Sequence, residues 1–110
     1  MAFDQGLVER IRDVLADEPA ISGRKVFGSF GFFVSGNMFS GVTGERLLIR
    51  TGPEAYEATL LKPYVQPFPP EGKPMRNWAS VDPEAVAEDA DLLEWIEPGL
   101  AIARALPPKE

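Results

Sequence analysis

Three short apolar runs, at residues 30–34, 38–42 and 47–49, form the clearest pattern in this chain. Residues that favour turns separate the runs, with Ser-Gly-Asn at 35–37 and Thr-Gly-Glu-Arg at 43–46. Apolar runs of this length, interrupted by glycine and asparagine, are typical of strands rather than helices. The pattern therefore predicts a tightly connected antiparallel meander of three strands.

An amphipathic helix is predicted before the meander, over residues 5–16. Asp4 is suited to cap its first turn. The apolar positions of this segment recur at helical spacing and are Leu7, Val8, Ile11, Val14 and Leu15. Pro19 prevents the helix from continuing, so residues 20–25 are expected to form a loop into the meander.

The second half of the chain predicts two more helices. Gly52-Pro53 places a proline at the favoured first position of a helix that Pro63 ends. A long apolar segment follows the helix-start signal at residues 82–84 and predicts the last helix. Pro98 lies inside this segment, and its missing N–H should kink or split the helix near residues 94–96.

Two further strands are predicted between these helices. Residues 65–68 are extended but rich in proline, which restricts them to a sheet edge or a loop. Residues 76–81 alternate, with Trp78 and Ser80 on one side and Ala79 and Val81 on the other.

The resulting order is α-β3-α-β2-α. Helices covering one face of an antiparallel sheet are the simplest packing for this order, so the fold class is an α+β two-layer sandwich. The length of 110 residues suits a single domain over residues 1–110, with a core at about 4–106.

Charge and composition narrow the classes of function. The net charge is −6, and residues 82–110 hold eight acids against two bases. No cluster of Lys and Arg is present for a phosphate backbone, so direct binding of nucleic acid is not expected. The chain has no apolar run of membrane-spanning length and no signal-peptide pattern, and it lacks cysteine. No membrane association is expected, and a cytoplasmic location is the default.

The sequence contains no recognisable reaction centre. Without His or Cys, the commonest general base, soft metal ligand and thiol nucleophile are missing. The glycine pairs 28/31 and 41/44 do not join a strand to a helix, as a phosphate-binding loop requires. The acids between residues 84 and 94 lack the spacing of a calcium loop and are interpreted as solvated acids at a helix start. The chain is therefore expected not to be an enzyme and to need no cofactor or metal.

Several motifs, in their order and spacing, resemble the TfoX/Sxy N-terminal domain family. They are Phe27-Gly28-x-x-Gly31-Phe32-Phe33, Gly36-x-Met38-Phe39, Arg46-Leu47-x-Ile49-Arg50 and Gly72-x-Pro74-Met75-x-x-Trp78. The resemblance covers about residues 26–107 and implies the same α-β3-α-β2-α fold. It also implies a regulatory role in natural competence, exercised with a cyclic-AMP receptor protein. Full-length members carry a second, C-terminal domain, which a chain ending at residue 110 is expected to lack. No catalytic residue is implied.

Adjacent aromatic residues predict a surface for interaction. Phe32 and Phe33 are neighbours in a strand and must point to opposite faces, so both faces of the sheet carry apolar side chains. Exposed apolar area marks a partner surface, and the expected partner is another protein or a second copy in a homodimer. The candidate residues are Phe32, Phe33, Phe39, Trp78, Arg24, Lys25, Lys73 and Arg76.

Two alternatives concern small ligands. A groove between the sheet and the last helix would make the chain a small-ligand-binding domain. The pairs Arg24-Lys25 and Lys73/Arg76 would bracket a small anion, but solvated loop charges are the favoured interpretation because nothing in the sequence brings the two loops together.

Overall fold

The computed structural model describes residues 3–109. Within this range the α-helices are α1 (Gln5–Val14), α2 (Gly52–Leu60) and α3 (Asp89–Ala105), and a short 3₁₀ helix spans Pro83–Val86. The strands are β1 (Ile21–Val26), β2 (Ser29–Val34), β3 (Asn37–Thr43), β4 (Arg46–Arg50), β5 (Val65–Pro67) and β6 (Trp78–Val81).

The strands form one antiparallel sheet in the order β1-β2-β3-β4-β6-β5. Strands β2 to β4 are the predicted meander. The α+β two-layer class is confirmed, since α1 and α3 share a single core with one face of this sheet. A bulge interrupts the pairing of β2 with β3, because Phe32 lies opposite Ser40 while Phe33 lies opposite Met38.

The predicted loop at residues 20–25 is wrong, because this segment is strand β1. Its pairing with β2 runs from Ile21 opposite Val34 to Val26 opposite Ser29. The order is therefore α-β4-α-β2-α. Residues 22–25 are all exposed, so this edge strand needs no alternation of apolar and polar residues. The two-residue Phe27-Gly28 turn was the available signal for a hairpin.

The core lies between one face of the sheet and the helices. The sheet contributes Phe30, Phe32, Val34, Phe39, Val42, Leu47, Ile49, Ala79 and Val81, and the helices contribute Leu7, Val8, Ile11, Leu92, Ile96, Leu100 and Ala103. Asp4 caps α1 as predicted, since its carboxylate accepts hydrogen bonds from the backbone N–H groups of Gly6 and Leu7.

Helix α3 is continuous through Pro98, so the predicted split is wrong. The tertiary contacts on either side of this proline hold the helix together. Ile96 and Leu100 are buried in the core, and Gly99 lies directly on the sheet. A Cβ atom at Gly99 would be 2.7 Å from the carbonyl oxygen of Phe39 and 2.9 Å from that of Arg50. Packing of this kind outweighs one lost helical hydrogen bond.

Candidate interaction surfaces

The face of the sheet that points away from the core is called the open face here. Side chains alternate between the two faces of a strand, and directly paired residues of antiparallel strands share a face. The register then assigns to the open face Arg24, Gly31, Phe33, Met38, Gly41, Arg46, Leu48, Arg50, Trp78 and Ser80.

The floor of the open face is apolar and covered. Phe33 and Leu48 are only 6% and 3% exposed, although neither belongs to the core cluster. Gly31 leaves room for the cover, because a Cβ atom there would lie 3.0 Å from Cε of Met38 and 3.2 Å from Cε1 of Phe33. Longer side chains of the same face therefore lie over the floor and present their polar ends to solvent.

Two arginines form part of this cover. The guanidinium carbon of Arg24 lies 4.1 Å from the ring centroid of Phe33, and that of Arg50 lies 5.8 Å from the ring of Trp78. The Arg50 Nη1 donates to the backbone oxygen of Met38 at 2.8 Å. Arg24 makes no hydrogen bond or ion pair with residues 3–109, and the buried Nε of Arg50 has no acceptor in that range. The exposed Arg24 thus keeps its N–H donors unused, whereas Arg50 can offer only the remaining N–H groups of its terminal nitrogens, because its unpaired Nε is buried.

The third arginine of the face already makes four hydrogen bonds within the chain. Arg46 donates to the hydroxyl of Ser80 at 2.9 Å, to the carboxylate of Asp82 at 3.4 Å and to the backbone oxygen of Tyr64 at 3.2 Å. Its charge is therefore compensated within the chain. Arg24 and Arg50 are the arginines of this face with donors to offer.

The C-terminal segment forms one wall of this surface. The side-chain amide of Asn37 donates to the backbone oxygen of Pro107 at 3.0 Å, and the N–H of Lys109 donates to the oxygen of Ser35 at 2.8 Å. A groove of about 460 Å³ lies between this segment and the side of the sheet that carries Arg50 and Trp78. The groove combines cationic and aromatic walls.

The turn between β1 and β2 carries an exposed aromatic residue. Phe27 is fully exposed, and its φ of 46° is left-handed; Gly28 follows with a φ of 82°. Such angles are typical of a type I′ turn, whose first position favours Asn, Asp or Gly over an aromatic residue. An exposed side chain in a disfavoured backbone conformation is a candidate contact for a partner.

The structure separates the residues predicted for the interaction surface. Phe33, Trp78 and Arg24 lie together on the open face, but Phe33 is only 6% exposed, so the expected exposed apolar surface at Phe33 is wrong. Phe32 and Phe39 are 1% and 0% exposed and belong to the core, so their assignment to a surface is wrong. The bulge between β2 and β3 could not be read from the alternation and contributes to the burial of Phe39.

The basic pairs expected to bracket an anion are far apart. Arg24 and Lys25 lie on β1, whereas Lys73 and Arg76 lie between β5 and β6, and the strand order puts these at opposite edges of the sheet. Lys25 and Lys73 are exposed, and Arg76 is 3.6 Å from the carboxylate of Glu57. A shared anion site between the two pairs is therefore excluded.

A second surface, missed in the sequence, is the groove between α2 and α3. It has a volume of about 540 Å³ and is lined by Ile49, Arg50, Thr51, Ala55, Thr59, Lys62, Pro63, Tyr64, Ala85, Asp91, Glu94, Trp95 and Pro98. The ammonium of Lys62 lies 5.4 Å from the ring centroid of Trp95. This contact joins Lys62, which lies just beyond the end of α2, to Trp95 of α3, and only the tertiary structure brings these two residues together.

Two further findings concern residues 3–109 alone. They contain no group of three or more His, Cys, Asp or Glu side chains placed to hold a metal ion. Their helices are also too short or too polar to cross a membrane.

The fold and these surfaces define a small α+β two-layer domain with an exposed, cationic sheet face. The sequence assigns it more closely: the chain belongs to the TfoX N-terminal domain family, whose model matches residues 13–103. The family that the motifs resemble is thereby confirmed. No match to a curated protein was found.

Proposed function

We propose that this chain is a non-enzymatic regulatory module that binds an acidic segment of another protein on its open face. One observation carries the proposal. The six strands contain four basic residues and no acidic residue, in a chain with 11 basic and 17 acidic residues. Three of the four, Arg24, Arg46 and Arg50, lie on the open face, whereas Lys25 pairs with the core residue Phe30 and lies on the opposite one. Arg46 is paired with Asp82, so Arg24 and Arg50 supply the uncompensated charge, and opposite charge on a partner would favour docking there.

Two arginines beside aromatic rings suit recognition of carboxylates. Arg24 lies over the ring of Phe33 and Arg50 lies near that of Trp78, and contact with a ring face leaves the N–H edge of a guanidinium free. Such an edge binds a carboxylate with charge-assisted hydrogen bonds, and with two at once where the geometry allows. The covered apolar floor beneath them is a preformed platform that a partner need not reorganise.

The same charges argue against a symmetric dimer through this face. Two copies placed face to face would bring Arg24 and Arg50 toward arginines of the second copy, and no strand carries an acid to compensate them. Like charges in an interface oppose association. A protein other than a second copy is therefore the proposed partner.

Membership in the TfoX N-terminal domain family supports a regulatory role linked to competence. The composition supports a role without catalysis, because the chain contains neither histidine nor cysteine. A module of this kind would act by holding a partner in place, so its measurable property is affinity rather than turnover.

The test uses a fluorescent peptide with alternating Glu and Leu, followed by anisotropy at increasing salt. The double variant Arg24→Gln/Arg50→Gln is expected to bind at least about tenfold more weakly, since each charge-assisted bond contributes about 1 kcal/mol or more. The matched control is Arg10→Gln/Arg104→Gln, which removes two arginines that pair with Asp89 and Glu18 on the helical side.

Equal loss in the control variant, or no loss in the double variant, would contradict the proposal. Light scattering on the free protein supplies the other decisive result. A dimer that dissociates in the Arg24→Gln/Arg50→Gln variant would show that a second copy, and not a different protein, occupies the open face.

A further inference from the structure

Side chains of α2, of the segment after it and of α3 line the groove between the two helices. Ala55 and Thr59 have i, i+4 spacing on α2, and Lys62 follows two residues beyond the end of that helix. Asp91, Trp95 and Pro98 have i, i+4, i+7 spacing on α3. Ile49 and Thr51 contribute to the floor. The volume of about 540 Å³ lies in the range of small-molecule sites.

The charge of this groove is the reverse of that on the open face. Asp91 and Glu94 line it, and neither forms an ion pair with residues 3–109. Arg50 also borders it, but its Nη1 donates to the backbone oxygen of Met38, and Arg50 forms no ion pair with either acid. Arg50 is the last residue of β4, and its backbone borders α3, since a Cβ atom added at Gly99 would lie 2.9 Å from its carbonyl oxygen. The anionic groups are thus not compensated by this arginine.

The chain places one of its own cations in the groove. The ammonium of Lys62 lies 5.4 Å from the ring centroid of Trp95, within the distance at which the π face of an indole attracts a cation. Lys62 is an exposed residue, so this attraction is weak and the side chain can be displaced. The contact shows that the Trp95 face accepts an ammonium group.

Pro98 adds a backbone acceptor to the same wall. A residue at position 98 of a helix normally donates its N–H to the carbonyl of residue 94, and proline has no N–H. The carbonyl oxygen of Glu94 is therefore without its usual helical donor. Both Pro98 and Glu94 line the groove, where an ammonium N–H would satisfy this oxygen.

We propose that this groove binds a small organic cation, of the class of primary amines and diamines. The ammonium would rest on the Trp95 ring in place of Lys62, near the carboxylates of Asp91 and Glu94. Tyr64, which is 53% exposed, lies along the same groove and offers an aromatic wall to the carbon chain. This function is separate from docking on the open face and does not depend on it.

The test uses 1,5-diaminopentane as the probe and 1,5-pentanediol as its neutral control. Tryptophan fluorescence is measured in a Trp78→Phe background, so that Trp95 is the only indole. The diamine is expected to alter the Trp95 emission with saturation, and the diol is expected to leave it unchanged. Equal responses to the two would overturn the proposal, because they would show apolar filling without recognition of charge.

Removal of the Lys62 ammonium tests directly whether the ligand and Lys62 compete for the Trp95 ring. Lys62→Met is expected to tighten diamine binding about threefold, since the ligand no longer competes with Lys62. Lys73→Met is the matched control, because Lys73 is an exposed lysine of the segment between β5 and β6 and does not line the groove. Unchanged affinity in Lys62→Met would contradict the proposed site.

The carboxylates are tested by variants that keep side-chain shape. Asp91→Asn and Glu94→Gln are each expected to weaken the diamine about fivefold, whereas Glu97→Gln should change it little. Glu97 lies on the same helix and is exposed, but it does not line the groove. Equal weakening by Glu97→Gln would show a general effect of helix charge and overturn the site. Calorimetry on the same proteins checks the affinities independently of fluorescence.

Discussion

The open face and the α2–α3 groove each contain a cation–aromatic contact, but the charges of the residues around the two contacts are opposite. Each places a cationic side chain on an aromatic ring: Arg24 on Phe33 in the first, Lys62 on Trp95 in the second. On the open face the strands supply no acid, whereas Asp91 and Glu94 line the groove. The surrounding charge, and not the cation–aromatic contact itself, therefore decides which ligand each surface favours.

The two surfaces also differ in how firmly their cations are held. Arg50 is anchored by a 2.8 Å hydrogen bond to Met38 and lies over a floor that is almost fully buried. Lys62 contacts only an aromatic face and is exposed. A fixed cation serves as part of a recognition surface, whereas a loosely held cation occupies a place that another cation can take.

Gly99→Val should have the largest effect, because it acts on the contact between α3 and the sheet that both surfaces share. Its side chain would collide with the backbone oxygens of Phe39 and Arg50, so the free energy of unfolding should fall by about 3 kcal/mol or more. Urea unfolding measures this change. Ala101→Val, at an exposed position of α3, should cost less than about 1 kcal/mol, and a similar loss there would contradict the close packing at Gly99.

Pro98→Ala should change ligand binding in the α2–α3 groove but not peptide binding on the open face. The restored N–H can bond to the carbonyl of Glu94, so the free energy of unfolding should rise by about 2 kcal/mol. The same change removes the free acceptor from the groove and should weaken diamine binding about threefold, with no effect on the acidic peptide. Thermal unfolding and the two binding assays measure these outcomes. Stabilisation without weaker diamine binding would remove the Glu94 carbonyl from the proposed site.

Phe27→Asn should give the smallest change. Asparagine accepts the left-handed backbone of this turn more readily than phenylalanine, so stability should rise by about 1 kcal/mol. Tyr64→Asn is the matched variant near the groove, since Tyr64 is also exposed and has a φ of 71°. Both variants should raise the temperature midpoint of unfolding, but only Tyr64→Asn should weaken diamine binding, because Tyr64 lines the groove. A lower midpoint for Phe27→Asn would show that its ring stabilises the free protein.

The elements with strong local signals could be predicted from the sequence. Asp4 and the apolar spacing after it defined α1, and the alternation around Trp78 assigned the two sides of β6 correctly. The adjacency of Phe32 and Phe33 also predicted that the sheet has apolar side chains on both faces. These features depend on neighbours within a few residues, which is the range over which pattern and backbone preference act.

The remaining features depend on contacts between distant segments. Strand β1 was missed because an exposed edge strand needs no apolar pattern, and Pro98 was tolerated because Ile96 and Leu100 anchor the helix on either side. The α2–α3 groove depends on a contact between Lys62, just after α2, and Trp95 of α3, which no local sequence pattern predicts. The sequence identified Arg24 as a candidate for the interaction surface, but its separation from Lys73 and Arg76 follows only from the strand order.

The two edge strands of the sheet differ in their capacity to pair with a further strand, and this limits how copies of the domain can associate. On one side, β5 carries Pro67 and is followed by Pro69 and Pro70, which cannot donate backbone hydrogen bonds to an added strand. On the other side, β1 has no neighbouring strand within residues 3–109. Pairing between two β1 edges would thus leave the proline-containing β5 edges outermost, where addition of a further strand is disfavoured.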